Sequence, residues 1–308
     1  MRRRSVGTVA HRWAGFALLA TVVGMFLSAC ASGAPPLRPS PTLARSDSVP
    51  RFAHIVVLML ENHSYGEVLN SPDTPYLRSL AADGAVLTRS YAITHPSEPN
   101  YLALFSGSTH GLRSDPCPRT FRGPNLASAL QADGRSFAGY SEQLPRRGWT
   151  GCEFEHYTRL CNPWMSYPAP VPSVGHPMSE FPTRFADLPS ISFVVPDLRD
   201  DMHSGTPARS DAWVQAHLGA YARWSVEHDS LLIITADEDD RRHDNRIPTV
   251  FVGARVRPGH YSVHVTDYNV LATLLEAEEV HPFGAALHAR PVTQIWTTPA
   301  LAADQGSR

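Results

Sequence analysis

The chain has 308 residues, 27 Lys+Arg against 29 Asp+Glu, 43% hydrophobic residues and four cysteines. A formal charge of -2 with both signs mixed along the chain leaves no basic stripe, which argues against nucleic acid as a partner. Length and apolar content suit one large domain better than two small ones.

Met1-Arg2-Arg3-Arg4 and Arg12 form a positive start, and residues 13–27 are mostly apolar but too short and wrongly flanked for a membrane span. The run ends Leu27-Ser28-Ala29-Cys30, the small-residue pattern of a bacterial lipobox in which Cys30 becomes the lipidated N-terminus. An ordinary secretory signal cleaved elsewhere is the plainer alternative, and both readings export the chain. Residues 1–30 therefore read as a lipoprotein signal peptide. Residues 31–50, rich in Pro, Ala and Ser without hydrophobic period, read as a tether. Residues 51–297 read as the globular domain and 298–308 as a C-terminal tail. The expected location is the cell envelope, on the outer face of a membrane through the lipid anchor alone, or the exterior. The chain is expected to act as a monomer.

Six apolar residues, Ile55 to Leu60, predict a strand buried on both faces that ends at Glu61-Asn62. Helices follow over 74–83, stopped by Gly84, and over 124–132, closed by Asp133-Gly134. Strands are expected at 136–140 and 191–195. Helical spacing puts Val214, Leu218, Tyr221 and Ser225 on one face of a helix over 210–226. A strand over 230–236 ends at Asp237-Glu238, another covers 247–252, and a last helix covers 268–277. This alternation predicts an α/β fold with a mostly parallel sheet between helical layers. Residues 144–182 break the rhythm. Dense in Pro, Trp, Tyr and Gly, they read as an ordered excursion over the active edge. With Cys30 lipidated, Cys117, Cys152 and Cys161 leave one disulfide and one thiol; Cys117–Cys152 is favoured, with Cys152–Cys161 close behind.

Ligands of open α/β sheets bind beyond the carboxyl ends of the strands. Two buried strands ending in Glu61-Asn62 and Asp237-Glu238 offer a hard divalent cation its oxygen donors. Ser97 precedes a helix from Glu98 with Pro99 in its first turn. It is either the N-cap alone or a nucleophile, since a helix N-terminus attracts phosphate and a nearby cation activates a hydroxyl. Asp239 and Asp240 read as a solvated acidic loop. Thr109, central in Gly107-Ser108-Thr109-His110-Gly111, denies that segment the nucleophile elbow of acyl hydrolases.

Five segments occur in order: HIVVLMLENHSYGEVL, THPSEPNYLALFSGSTHG, VVPDLRDDMH, LLIITADED and NRIPTVFVGARVRPGHY. Together they resemble the bacterial phosphoesterase family of acid phosphatases and phosphocholine-preferring phospholipases C, within the alkaline-phosphatase-like superfamily. The resemblance implies a three-layer α/β/α sandwich, with Glu61, Asn62, Ser97, Asp237 and Glu238 around a divalent metal ion. It makes Ser97 the nucleophile that carries a phosphoserine intermediate. Asn100 would position the phosphate, Asp201 and His203 would line the substrate side with His203 as proton donor, and His95 is a further substrate-binding candidate. Two positions depart from the pattern: Asp267 and Cys161 stand where relatives carry histidine. The expected activity is hydrolysis of phosphate monoesters. The alternatives are a phospholipase C-type diesterase acting on a phospholipid headgroup, and a catalytically inactive, surface-tethered binding lipoprotein.

Overall fold

The computed structural model describes residues 48–168 and 171–297. The leader, Cys30, most of the tether and the C-terminal tail lie outside the described residues. At the centre stands β1 (His54–Leu60), whose residues from Ile55 onward are buried. Ile55, Val57 and Met59 enter one hydrophobic cluster, and Val56, Leu58 and Leu60 enter the other. A strand apolar on both sides can lie only where both faces of the sheet are covered.

After β1 come α1 (Tyr65–Leu69), α2 (Pro75–Asp83), β2 (Ala85–Tyr91), α3 (Glu98–Ser106), α4 (Leu126–Ala132) and β3 (Phe137–Ser141). The irregular region holds a small hairpin, β4 (Glu153–Phe154) with β5 (Tyr157–Thr158), and the short β6 (Gly175–Pro177). The chain then forms β7 (Ile191–Val195), α5 (Pro207–Glu227), β8 (Ser230–Ala236), β9 (Thr249–Gly253), β10 (Gly259–Thr266) and α6 (Asp267–Ala277).

Eight strands make the main sheet in the order β10-β2-β9-β8-β1-β7-β3-β6. Only β9 runs against its neighbours, so the other seven strands point the same way and share one carboxyl edge. Leu60 lies opposite Ala236, which brings Glu61 and Asp237 out side by side at that edge. Leu102 and Phe105 of α3, Leu130 of α4 and Leu274 of α6 pack on one face; Leu77 of α2 and Val214, Leu218 and Tyr221 of α5 pack on the other. Each such buried side chain contributes about 1.5–3 kcal/mol. The result is the three-layer sandwich expected.

Three features depart from the expectation. The strands β2 and β10 carry too much polar surface to announce themselves as apolar runs. Of the two, β10 alternates partly covered and exposed positions because it is an edge strand. The direction of β9 has no local signature. The longest helix, α5, starts three residues early, where the Thr206 side chain accepts from the Arg209 N–H.

The described residues of the excursion over 144–182 pack against the sheet and α3. Trp164 is fully buried, its indole lying on Gly139 of β3; a Cβ there would stand 2.1 Å from the ring, so only glycine admits this contact. Cys117 and Cys152 form the disulfide and Cys161 is the buried free thiol. No helix among the described residues is long and apolar enough to cross a membrane.

Candidate active site

The paired ends of β1 and β8 set the centre of the site. The Asp237 N–H donates to the Leu60 carbonyl at 3.1 Å, and the Asn62 N–H donates to Asp237 Oδ1 at 3.0 Å. Asn62 adopts φ 54°, a left-handed conformation that asparagine tolerates better than most side chains. Glu61 is fully buried, and its own N–H donates to the Asp201 carbonyl at 2.8 Å.

Ser97 reaches this centre from the loop before α3. It occupies the N-cap position, yet its side chain caps nothing. Its hydroxyl instead faces two carboxylates, 3.4 Å from Glu61 Oε2 and 3.3 Å from Glu238 Oε1. The backbone donors expected to cradle phosphate at this helix end are already engaged. The Glu98 N–H donates to Asp115 Oδ1 at 2.9 Å, Pro99 has none, and the Asn100 N–H closes on the Ser97 carbonyl at 2.9 Å. What the helix still offers is its dipole.

Two residues expected on the substrate side turn out to hold the loop. Asn100 is buried, and its Oδ1 accepts from the Ile93 and Thr94 N–H groups while its Nδ2 donates to the Thr94 and Pro96 carbonyls. The His95 ring spans Glu238 Oε2 at 2.7 Å and Asp239 Oδ1 at 3.2 Å. Asp201 is 1% exposed and sits beside Glu61 behind the wall, with Oδ1 accepting the His203 N–H at 2.8 Å. His203 opens onto a cleft. Asp239 is no solvated loop residue: it is 1% exposed and gathers the N–H groups of Arg241, His243 and Asn245. Asp240, by contrast, lies nearer the surface and pairs with His243.

Ser97, Glu61 and His203 line a cleft of about 310 Å³ whose opposite wall is the hairpin segment from Glu153 to Leu160. Its charged lining consists of Glu61, Asp115, Glu153 and Glu155, with no arginine. The acids at its base are held in an unusual state. Burial first, then the charges of Asp237 and Asp201, push Glu61 well above the carboxylate range. Burial and then Glu238 push Asp237 up to about 8. Burial takes Glu238 to about 7, although Arg241 pulls the other way. Asp267, the first residue of α6, is buried and raised by the same cause, with Asp237 adding to it. The Oδ2 atoms of Asp201, Asp237 and Asp267 are buried without a hydrogen-bond partner among the described residues. Like charges gathered out of water, without a countercharge, favour protonation until a cation arrives.

Three neighbours of this centre lie outside the expected site residues, and of them only Cys161 stands out in the sequence, as a departure from the family pattern. The Tyr101 hydroxyl donates to Glu61 Oε1 at 2.8 Å; its one hint is its place a helical turn after Ser97. The Cys161 thiol donates to the same oxygen at 3.1 Å. Asp115, on the helix N-terminus, has no signal of its own.

A model of the Phosphoesterase family matches residues 67–281. The chain belongs to this family. It is a hydrolase acting on phosphoric ester bonds, as the family match and its phosphatase relatives agree. The phosphoesterase is 43% identical over 254 residues to the phosphatidylinositol-3-phosphatase of Mycobacterium tuberculosis (strain ATCC 25618 / H37Rv), covering 82% of this chain and 85% of that protein. It is 26% identical over 281 residues to an acid phosphatase of Aspergillus fumigatus, covering 84% of this chain but only 62% of that longer protein. Among solved structures, a protein of the alkaline phosphatase superfamily from Vibrio parahaemolyticus superposes with TM-score 0.55 at 17% identity, over 83% of this chain and 75% of that one. The lipoteichoic acid synthase LtaP of Listeria monocytogenes gives 0.54 at 8%, over 82% and 78%. These two share the fold.

Proposed function

We propose that this phosphoesterase is an exported, metal-dependent phosphomonoesterase that uses Ser97 as its nucleophile and passes through a phosphoserine intermediate. The observation that carries the reading is the Ser97 hydroxyl, which leaves its helix uncapped and faces Glu61 and Glu238 at the floor of the cleft.

The donor set suits a hard divalent ion. The Ser97 hydroxyl reaches carboxylate oxygens of Glu61 and Glu238, the Asn62 N–H holds Asp237 Oδ1, and Asp237 Oδ2 is buried without a partner among the described residues. The acidic lining makes the same demand, because a phosphate dianion cannot enter four carboxylates without added positive charge. Such an ion would lower the pKa of the Ser97 hydroxyl and screen the ester from the carboxylates.

The chain's own residues supply the rest. Ser97 Oγ attacks phosphorus in line with the ester oxygen, and its proton passes to the nearer carboxylate oxygens, Glu238 Oε1 or Glu61 Oε2. The bond from phosphorus to the ester oxygen breaks, and the alcohol leaves with a proton from His203. Water, deprotonated by the same His203, then attacks the phosphoserine; the bond from phosphorus to Ser97 Oγ breaks, orthophosphate leaves, and the carboxyl that took the Ser97 proton returns it to Oγ. His95 and Asn100 keep Glu238 and the Ser97 loop in register. Tyr101 holds Glu61 from behind.

The name of the 43% identical relative makes a phosphoinositide monoester the first substrate to try, and the fungal acid phosphatases support simple monoesters as well. Export, and lipidation at Cys30, rest on the leader pattern. The deciding assay compares p-nitrophenyl phosphate, bis-p-nitrophenyl phosphate and phosphatidylinositol 3-phosphate, with and without chelator, beside Ser97→Ala. Chelator-sensitive monoester turnover, with phosphate trapped on Ser97 after acid quench and none in Ser97→Ala, is expected. Turnover surviving in Ser97→Ala overturns the nucleophile, and a strong diester preference moves the reading to a phospholipase C. Folded, metal-loaded protein without turnover points to the binding lipoprotein.

A further inference from the structure

Three groups of metal-capable side chains lie close together among the described residues. In the group of Glu142, Asp197 and Asp200, the two aspartates are already paired with Arg199 and Arg209. In the group of Glu67, Asp240 and His243, the last two pair with each other near the surface, and Glu67 caps α1. The third group is Glu61, Cys161 and Asp201, with ligand atoms within 4.8 Å of one another. It differs on every count. All three residues are at most 2% exposed, and no arginine pairs with them among the described residues.

The geometry points to a second cation site here, formed by the carboxylates of Glu61 and Asp201 and the sulfur of Cys161. It goes beyond the proposed site at Ser97 and shares only Glu61 with it. The sharing is visible in the hydrogen bonds. Glu61 turns Oε2 to Ser97 and Oε1 to Cys161 and Tyr101, so one carboxylate addresses both places. A plain structural role for Cys161, donating its S–H to Glu61, satisfies Glu61 alone. It leaves Asp201 Oδ2 buried and unpartnered, which is costly for any polar atom shut away from water. A divalent cation satisfies both carboxylates at once: the thiol gives up its proton to solvent and the thiolate takes a place beside the two carboxylate oxygens.

The ligand chemistry sets the class of ion. The Ser97 site offers oxygen alone and suits a hard cation; a thiolate with two carboxylates favours a borderline-soft ion of the zinc class. Three protein ligands also leave a fourth position of a tetrahedral ion for water.

Cobalt titration of the full chain, stripped with chelator, tests this with a readout independent of activity. Thiolate bound to Co²⁺ gives an intense near-ultraviolet charge-transfer band that oxygen ligands lack. Wild-type protein is expected to bind two equivalents and show the band. Cys161→Ala is expected to lose the band and one equivalent while keeping the other, and Cys30→Ala is expected to change neither. Asp201→Asn is expected to weaken the band without touching the sulfur. One equivalent bound by wild type with no thiolate band overturns the second site and leaves the Ser97 site standing. A band that survives in Cys161→Ala also overturns it. No cobalt bound at all sinks both sites together. The wild-type spectrum decides even if a variant fails to fold.

Discussion

At the amino ends of the strands, acids meet arginine, the buried Glu278 among them: Asp229 lies 2.8 Å from Arg255, Glu278 3.7 Å from Arg135 and Glu279 3.1 Å from Arg51. At the carboxyl ends, Glu61, Asp201, Asp237 and Asp267 face one another with no arginine paired to any of them among the described residues. Each of the three amino-end acids has an arginine beside it, as Asp197 and Asp200 do near the other edge. The four acids of the centre have none, which is what a binding site for cation and phosphate requires. On the proposed reading the same residue type does structural work at one place and chemical work at the other, and its countercharge tells them apart.

The contrast can be broken in several places. The largest expected effect is at Ser97: Ser97→Ala should lower kcat by ~10⁴-fold or more in steady-state kinetics on the preferred monoester. Chelation should produce a comparable loss, restored by a divalent ion. Next is the proton donor. His203→Gln should cost ~10²-fold on an inositol or alkyl phosphate and far less on p-nitrophenyl phosphate, whose leaving group departs without a proton.

Asp237→Asn sharpens the comparison because activity and stability should move in opposite directions. Turnover should fall, while the chelator-treated variant should melt higher than chelator-treated wild type, by roughly 2–4 °C for each kcal/mol of repulsion relieved. Differential scanning calorimetry checks this, and a lower Tm would contradict the picture of uncompensated charge. The matching change at the other edge, Asp229→Asn, removes an exposed partner of Arg255 and should cost about 0–1 kcal/mol.

The smallest effect depends on pH. Burial raises Glu278 to about 7, against the opposing pull of Arg135 and Arg51. A carboxyl whose folded pKa is raised adds stability below its ordinary value near 4.5, and that stability is lost as pH rises through about 7. Glu278→Gln should therefore match wild type at low pH and melt above it at pH about 8. Equal melting points across that window would show that Arg135 already balances the charge.

Part of this site is legible in the amino-acid order itself. The apolar runs at Ile55–Leu60 and Leu231–Ala236 each stop at an acid, so local pattern alone places Glu61 and Asp237 at strand ends. Ser97 is ambiguous at that level because an N-cap serine and a nucleophilic serine look the same in sequence; the direction of its hydroxyl shows only that it caps nothing, and the nucleophile role is the proposal. Asn100 and His95 carry the right chemistry for phosphate, yet the loop's own carbonyls and the acids behind it take up their polar atoms.

What the amino-acid order determined is what short-range periodicity can carry: buried strands, amphipathic helices, the acids that end the strands and the ordered set of motifs. Tertiary structure alone decided which acids lack a countercharge. Asp201 and Cys161 lie far along the chain from Glu61, and both reach it only because β7 and the excursion pack beside β1. Charge interaction depends on distance through space and on exclusion of water, and neither is a property of position along the chain.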